Sequence, residues 1–217
     1  MPVPDLSKTL YTAVLSDVLD SLGHRHQAMH SAIRPLDPEI PLFGRVRTGL
    51  FEPRDGERPG EHPYDIEIAL IDDLKPGDVA VLACGLSPET IVPWGELLTT
   101  AARARGAVGA VTDGLVRDAR TIARMRFPVF HGGYRPIDSK GRGKMVARDT
   151  EVACAGVTVR SGDLVFGDQD GVVIIPQAIS ETVLSRAMEK IGSENITRTE
   201  LQAGVTLAQV YARYGTL

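Results

Sequence analysis

Between residues 66 and 131 the apolar pattern switches repeatedly between short continuous runs and helical spacing, and this alternation narrows the possible folds more than any other feature. Ile66 opens a helical run that reaches Leu74 and ends before Pro76. Lys75, Pro76, Gly77 and Asp78 form a turn signal, because proline presets φ and glycine takes conformations other residues avoid. Val79, Ala80, Val81, Leu82 and Ala83 then read as a buried strand. A helix follows Pro93, a small-residue strand covers residues 107–112, a short helix runs through Met125, and Pro128, Val129, Phe130 and His131 make the next strand. Strands separated by helices predict an α/β sheet with crossover connections.

Within that region, residues 94–118 carry the candidate chemistry. Pro93 and Gly95 mark a helix start, and Leu97, Leu98, Ala101, Ala102 and Ala104 supply its apolar stripe before Gly106 stops it. The first turn therefore lies at residues 95–98. Unpaired amides there, beside a glycine that admits close approach, suit a small carboxylate or phosphate. After the next strand Asp113 and Gly114 turn the chain, and Arg117 and Asp118 fall on the following loop, with twenty residues between Glu96 and Arg117. Loops leaving the carboxyl ends of strands border the ligand crevice in open α/β sheets. Arginine presents a planar fork to a carboxylate or enolate oxygen, and a neighbouring aspartate suits a hard cation such as magnesium. Taken singly, Glu96 and Asp118 are equally ordinary first-turn carboxylates, and Arg117 an ordinary surface partner for Asp113.

Elsewhere the sequence predicts an amphipathic helix over residues 5–22, with Leu6, Leu10, Val14, Val18 and Leu22 on one side, Ser16, Asp17 and Asp20 on the other, and Gly23 as its stop. His24, His26 and His30 read as a solvated loop, since their spacing lacks further ligands for zinc. A strand is expected around residues 45–51 and a mobile surface excursion over residues 52–63. Residues 132–149 are glycine- and charge-rich; residues 151–175 read as short strands forming a β-rich segment beside the first sheet. Helices are expected over residues 178–191 and 195–214. Asp168 and Asp170, before Gly171, fit a turn better than a metal. Gly141, Arg142, Gly143 and Lys144 hint weakly at a phosphate grip without a following helix, with Arg142 supporting the site or an interface. His131 reads as structural.

The 217 residues, 43% of them hydrophobic, suffice to bury a sizeable core as one domain. With 24 Lys and Arg spread among 28 Asp and Glu, the formal charge is −4, so nucleic acid is not the expected partner. Cys84 and Cys154 sit far apart in apolar segments and read as buried thiols of a reducing compartment. No apolar run reaches the roughly eighteen residues a membrane helix needs, which predicts a soluble cytoplasmic protein without a membrane partner.

The run Trp94, Gly95, Glu96, Leu97, Leu98, then Gly106, Gly109, Asp113, Gly114, Arg117 and Asp118, closely resembles the metal-dependent class II aldolases of the 4-hydroxy-4-methyl-2-oxoglutarate aldolase family, which also contains the regulators of ribonuclease activity A. The resemblance extends to Ser16, Asp17, Val18, Leu19 and Asp20, to Pro76, Gly77, Asp78 and Val79, to Pro136, Asp138, Ser139, Gly141 and Arg142, to Gly162 and Asp163, and to residues 168–176. It implies a β/β/α-layered sandwich like the swivelling phosphohistidine-type domain, with C-terminal helices, assembled as trimers or hexamers with sites between subunits. It implies that residues 95–98 (Gly95, Glu96, Leu97, Leu98) bind the carboxylate of a 2-oxo acid and Arg117 its keto oxygen. Asp118 would coordinate magnesium or manganese directly and Glu96 through water. Glu194, followed by Arg198, Leu201, Ala203 and Gly204, matches the acidic residue that reaches the metal waters of a neighbouring subunit. The implied reaction cleaves a 4-hydroxy-2-oxo acid to pyruvate and a second oxo acid through a pyruvate enolate, with oxaloacetate decarboxylation alongside. Water on the metal is the simplest base for the C4 hydroxyl. The alternatives are a non-catalytic ribonuclease-regulating protein of the same fold and a family enzyme with a diverged substrate; the excursion at residues 52–62 and the histidine-bearing loop bear on the latter.

Overall fold

In a computed structural model, residues 9–85 and 88–215 are described. The first helix, α1 (Thr12–Ser21), begins later than the apolar spacing predicts, and Leu6 lies outside the described residues. No side chain of its own N-cap, Tyr11, closes it. Asp168 does so from across the fold: the amide and hydroxyl of Thr12 donate to its two carboxylate oxygens at 2.8 Å, and the amide of Asp170 donates to Oδ1 at 2.9 Å. Asp168 is thus both a turn residue and a remote helix cap.

The chain continues through β1 (Arg34–Pro35), β2 (Leu42–Pro53), α2 (Asp65–Asp72), β3 (Asp78–Ala83), α3 (Glu96–Ala104), β4 (Gly109–Thr112), α4 (Ala119–Met125) and β5 (Val129–His131). Strands β2, β3, β4 and β5 pair in parallel, with α2, α3 and α4 in the crossovers. The second half comprises β6 (Gly143–Arg148), β7 (Val152–Cys154), β8 (Val157–Val159), β9 (Leu164–Asp168), β10 (Gly171–Ile175), α5 (Ser180–Gln202) and α6 (Leu207–Tyr214). Three of its strands join the first sheet, and only β7 and β8 pair apart from it. Strand β9 pairs antiparallel with the start of β2, β6 pairs with its end past a register shift at Leu50/Phe51, and β10 continues beyond β9. Among the described residues eight strands share this sheet. Its edges approach each other, where the Arg34 guanidinium donates to the Asp170 carbonyl at 2.8 Å.

Alternation along the strands explains the layers. Val79, Val81, Val111 and Phe130 face inward with Val165, Val172 and Ile174, against the separate β7–β8 hairpin and its Val152, Cys154, Val157 and Val159. Ala80, Leu82, Ala110 and Val129 face outward against Leu70 and Ile71 of α2, Ala102 of α3 and Ile122 of α4. Over the antiparallel half, Val14, Leu15, Val18 and Leu19 of α1 and Val183 and Ala187 of α5 cover Leu164, Phe166, Val173 and Ile175. Hairpin, sheet and helices form the β/β/α layering. Both cysteines are buried free thiols.

Three expectations need correction. Strand β6 lies where only a glycine- and charge-rich stretch was expected, because its charged side chains are paired rather than solvated: Lys144 bonds Glu61 at 2.7 Å and lies 3.3 Å from Asp65, and Arg148 bonds Asp73. The excursion after β2 is tied down rather than loose, with the Arg54 and Gly56 amides donating to the Arg142 and Gly141 carbonyls at 2.7 and 3.0 Å. The two C-terminal helices divide later than expected, since α5 runs on through Gly192, at a cost of about 1 kcal/mol relative to alanine, and ends only at Gly204. Thr206 and Gln209 then start α6 with a capping box. No described helix is long and apolar enough to cross a membrane.

Candidate active site

Three loops leave the carboxyl ends of β3, β4 and β5 and run side by side, through parallel bridges from Trp94 to Val116 and from Val116 to Tyr134. The Arg117 amide donates to the Trp94 carbonyl at 3.1 Å. Trp94 itself is buried: its indole stacks on Phe127 at 6.3 Å and its Nε1 donates to Thr99 Oγ1 at 2.8 Å. The Thr99 hydroxyl donates onward to the Gly95 carbonyl at 2.9 Å, which locks the first turn of α3. Gly95 is extended, at φ −156°, and caps that turn.

Asp118 takes the left-handed conformation, φ 59°, a costly geometry for a residue other than glycine that aspartate tolerates better than most. As a result its carboxylate turns away from its own helix α4 and toward α3, where Oδ2 accepts the Glu96 amide at 3.2 Å. Arg117 lies between two acids, with Nε 3.7 Å from Asp118 Oδ2 and Nη1 3.3 Å from Asp138 Oδ2. Among the described residues the amides of Leu97 and Leu98 find no acceptor, so they remain available to a ligand. A cavity of about 360 Å³ collects these groups, with Tyr64, Glu67 and Asp138 on its wall.

Gly95 matters because a Cβ there would lie 3.0 Å from Asp118 Oδ2 and 3.2 and 3.3 Å from Cγ and Nε of Arg117. Its φ suits alanine, so Gly95→Ala should fold normally yet displace both side chains. A loss of roughly tenfold to a hundredfold in kcat/KM with little change in melting temperature is the expected outcome; parallel turnover and thermal-melting measurements check it.

Of the residues predicted from sequence, Gly95, Glu96, Leu97, Leu98, Arg117 and Asp118 come together. Glu96 Oε1 accepts the Thr100 hydroxyl at 2.8 Å, along its own helix. Glu194 does not join them within the chain: it lies on α5, bonded by the Tyr11 hydroxyl, in a separate cleft between α1 and α5. Nor does Arg117 pair with Asp113. That carboxylate instead accepts the amides of Cys84 at 2.7 Å and Ala155 at 3.2 Å, fastening β3 to the β7–β8 hairpin. His131 is buried with neither ring nitrogen hydrogen-bonded, and burial pushes its pKa down to about 4, so at neutral pH it is an uncharged packing group against Tyr134.

Sequence reasoning missed the acidic side of the cavity. Asp138 belongs to the family resemblance but carried no role; here it accepts the Tyr64 hydroxyl at 3.0 Å and holds Arg117. Burial raises its pKa, but the Lys140 amide, the Tyr64 hydroxyl and Arg117 outweigh that and keep it below the usual range. Glu67, near the start of α2, is 5% exposed, and burial, reinforced by the charge of Asp138 and opposed by Arg117, pushes its pKa up to about 7. Its position in the first helical turn is ordinary for a glutamate, so nothing in the sequence separates it from Asp65 beside it.

A family model described as "RraA-like: Aldolase/RraA" matches residues 12–174. The chain belongs to this family. A relative from Halalkalibacterium halodurans named "Putative 4-hydroxy-4-methyl-2-oxoglutarate aldolase" is 30% identical over 94% of this chain and 90% of its own length. Among solved structures, an uncharacterized protein from Pseudomonas syringae is similar with a TM-score of 0.84, 28% identical, over 99% of this chain and 96% of that one. Streptomyces coelicolor RraAS2, described as an unusual member of the RNase ES inhibitor RraA protein family, is similar with a TM-score of 0.78, 26% identical, over 91% and 97%. For this RraA-like chain the matched region takes in every residue of the cavity and ends inside β10, so α5 and α6 lie beyond it.

Proposed function

We propose that this chain is a divalent-metal-dependent lyase that cleaves 4-hydroxy-2-oxo acids of the 4-hydroxy-4-methyl-2-oxoglutarate type to pyruvate and a second oxo acid, and that also decarboxylates oxaloacetate. The observation that carries this reading is the convergence of the Leu97 and Leu98 amides, Arg117 and Asp118 on one cavity. The amides and the positive end of α3 bind the C1 carboxylate. Arg117 is held by Asp138 rather than swinging free, so its fork is already aimed when the 2-oxo oxygen arrives. As the C3–C4 bond breaks, negative charge grows on that oxygen, and Arg117 stabilises it more in the transition state than in the ground state. Trp94, Val92 and Leu98 line the apolar side and keep water from the enolate.

The donors fit a hard cation. Asp118 is half exposed with one oxygen on the Glu96 amide, and no cluster of three His, Cys, Asp or Glu occurs among the described residues. One or two carboxylates suit an ion that retains most of its waters, such as magnesium or manganese, and not a closed zinc site. Asp118 would hold it directly and Glu96 through water, and the ion would supply positive charge toward the enolate oxygen. Purified protein with magnesium should form pyruvate from oxaloacetate and from 4-hydroxy-4-methyl-2-oxoglutarate, and a chelator should abolish both. No pyruvate from either substrate, with magnesium or with manganese, would refute the reading.

A ribonuclease-regulating role is the second reading, favoured by the likeness to the Streptomyces RraA-family protein. Recovery of a ribonuclease from cell extract together with an absence of turnover would establish it in place of the first. For the assembly, Met188 and Ile196 of α5 and Leu207 and Tyr211 of α6 are exposed and would pack against further copies in a trimer or hexamer, bringing Glu194 to a neighbour's site.

A further inference from the structure

Glu67 is the buried carboxyl that the proposed binding and charge-stabilising roles leave unused. In the first turn of a helix, a glutamate three residues beyond the N-cap commonly reaches back to the N-cap amide. Here the N-cap is Tyr64, and its amide donates instead to His62 Nδ1 at 3.2 Å. Among the described residues no group hydrogen-bonds the Glu67 carboxyl. An unpartnered carboxyl on a side chain this buried, in a residue only 5% exposed, is costly to keep charged, and this one borders the cavity that holds Arg117 and the Leu97 and Leu98 amides. The charged groups nearest it are Asp138 and Arg117, with the Tyr64 hydroxyl bonded to Asp138. Glu96 and Asp118 border the same cavity, whereas Lys144 of β6 is taken up by Glu61 and Asp65.

Resting on the lyase reading, we infer that Glu67 is the catalytic proton-transfer group of this site, taking the proton of the C4 hydroxyl and returning it to C3. The step balances within the substrate. The C4 O–H bond breaks and its proton passes to a Glu67 oxygen; the C4 carbonyl forms as the C3–C4 bond breaks, and that bond's electron pair becomes the C2–C3 enolate with its charge on the oxygen facing Arg117. After the second oxo acid leaves, the proton on Glu67 forms the new C–H bond at C3, the C2 carbonyl returns, and pyruvate departs with Glu67 again a carboxylate. A group that must both accept and donate at neutral pH works best when its two forms are close in free energy, and burial places Glu67 in that position. The same carboxylate should abstract a C3 proton from bound pyruvate in reverse.

The test uses the full chain with magnesium and follows two reactions: cleavage of 4-hydroxy-4-methyl-2-oxoglutarate, and exchange of solvent deuterium into the pyruvate methyl group. For the wild type both rates, as kcat/KM, should rise with pH through a midpoint near 7. Glu67→Gln should lower both about 10²- to 10⁴-fold and abolish that limb. Glu67→Asp, which keeps the carboxyl at shorter reach, should retain part of the rate and the limb. In metal-free protein labelled at the glutamate carboxyl carbons, one resonance should titrate near pH 7 and be missing from E67Q. If E67Q cleaves and exchanges like wild type, the assignment of Glu67 is overturned while the lyase reading stands. If wild-type protein does neither, the lyase reading falls and the assignment falls with it. Should E67Q fail to fold, a wild-type profile that stays flat across the neutral range overturns the assignment.

Discussion

Arg117→Ala is expected to lower kcat/KM for pyruvate formation about 10²- to 10³-fold, the usual loss when one donor to a developing oxyanion is removed. The side chain is more than a third exposed and its ion pairs to Asp118 and Asp138 span 3.7 and 3.3 Å, so they contribute little to folding. Melting temperature should therefore barely move. The loss should fall on kcat as well as on KM, because Arg117 meets the most charge after the substrate bond has begun to break. Asp138→Asn should show a smaller effect of the same kind, and combined with Arg117→Ala it should add little, since Asp138 acts on that charge by holding the guanidinium. Steady-state kinetics of the two single variants and the double variant check this. Fully additive losses would mean that Asp138 has a separate role.

Trp94→Ala is expected to cost about 3–5 kcal/mol of stability, since it empties a fully buried indole site in the helix-side core. The same ring holds the first turn of α3 through Thr99, so folded protein should also lose turnover. Trp94→Phe separates the two effects. It fills most of the volume but leaves Thr99 without its donor, for a loss nearer 1 kcal/mol. Chemical denaturation of the three proteins measures both values, and a Trp94→Ala cost below that of Trp94→Phe would contradict the packing account.

The central α/β unit and the candidate site were legible because their signals are local. Runs such as residues 79–83 have nowhere to go but a buried strand, and the positions of Gly95, Arg117 and Asp118 follow from where the strands and helices end. What was not legible depends on contacts between distant segments. Strand β6 looks like a charged loop until Glu61, Asp65 and Asp73 are seen to neutralise it. Asp168 reads as a turn residue, and only the fold shows that it also caps α1 from more than 150 positions away. Glu67 looks like any helix-starting carboxylate until the packing around it leaves it largely buried, without a hydrogen-bond partner, on the cavity wall. From sequence alone a water on the metal is therefore the simplest base, whereas under the proposal above a side chain on the cavity wall supplies it.

The most direct test is a crystal structure of the full chain soaked with magnesium and pyruvate. The account predicts pyruvate in the cavity with its carboxylate on the Leu97 and Leu98 amides and its keto oxygen at Arg117, and the ion on Asp118. Pyruvate or magnesium bound reproducibly elsewhere, with Arg117 and Asp118 untouched, would contradict it.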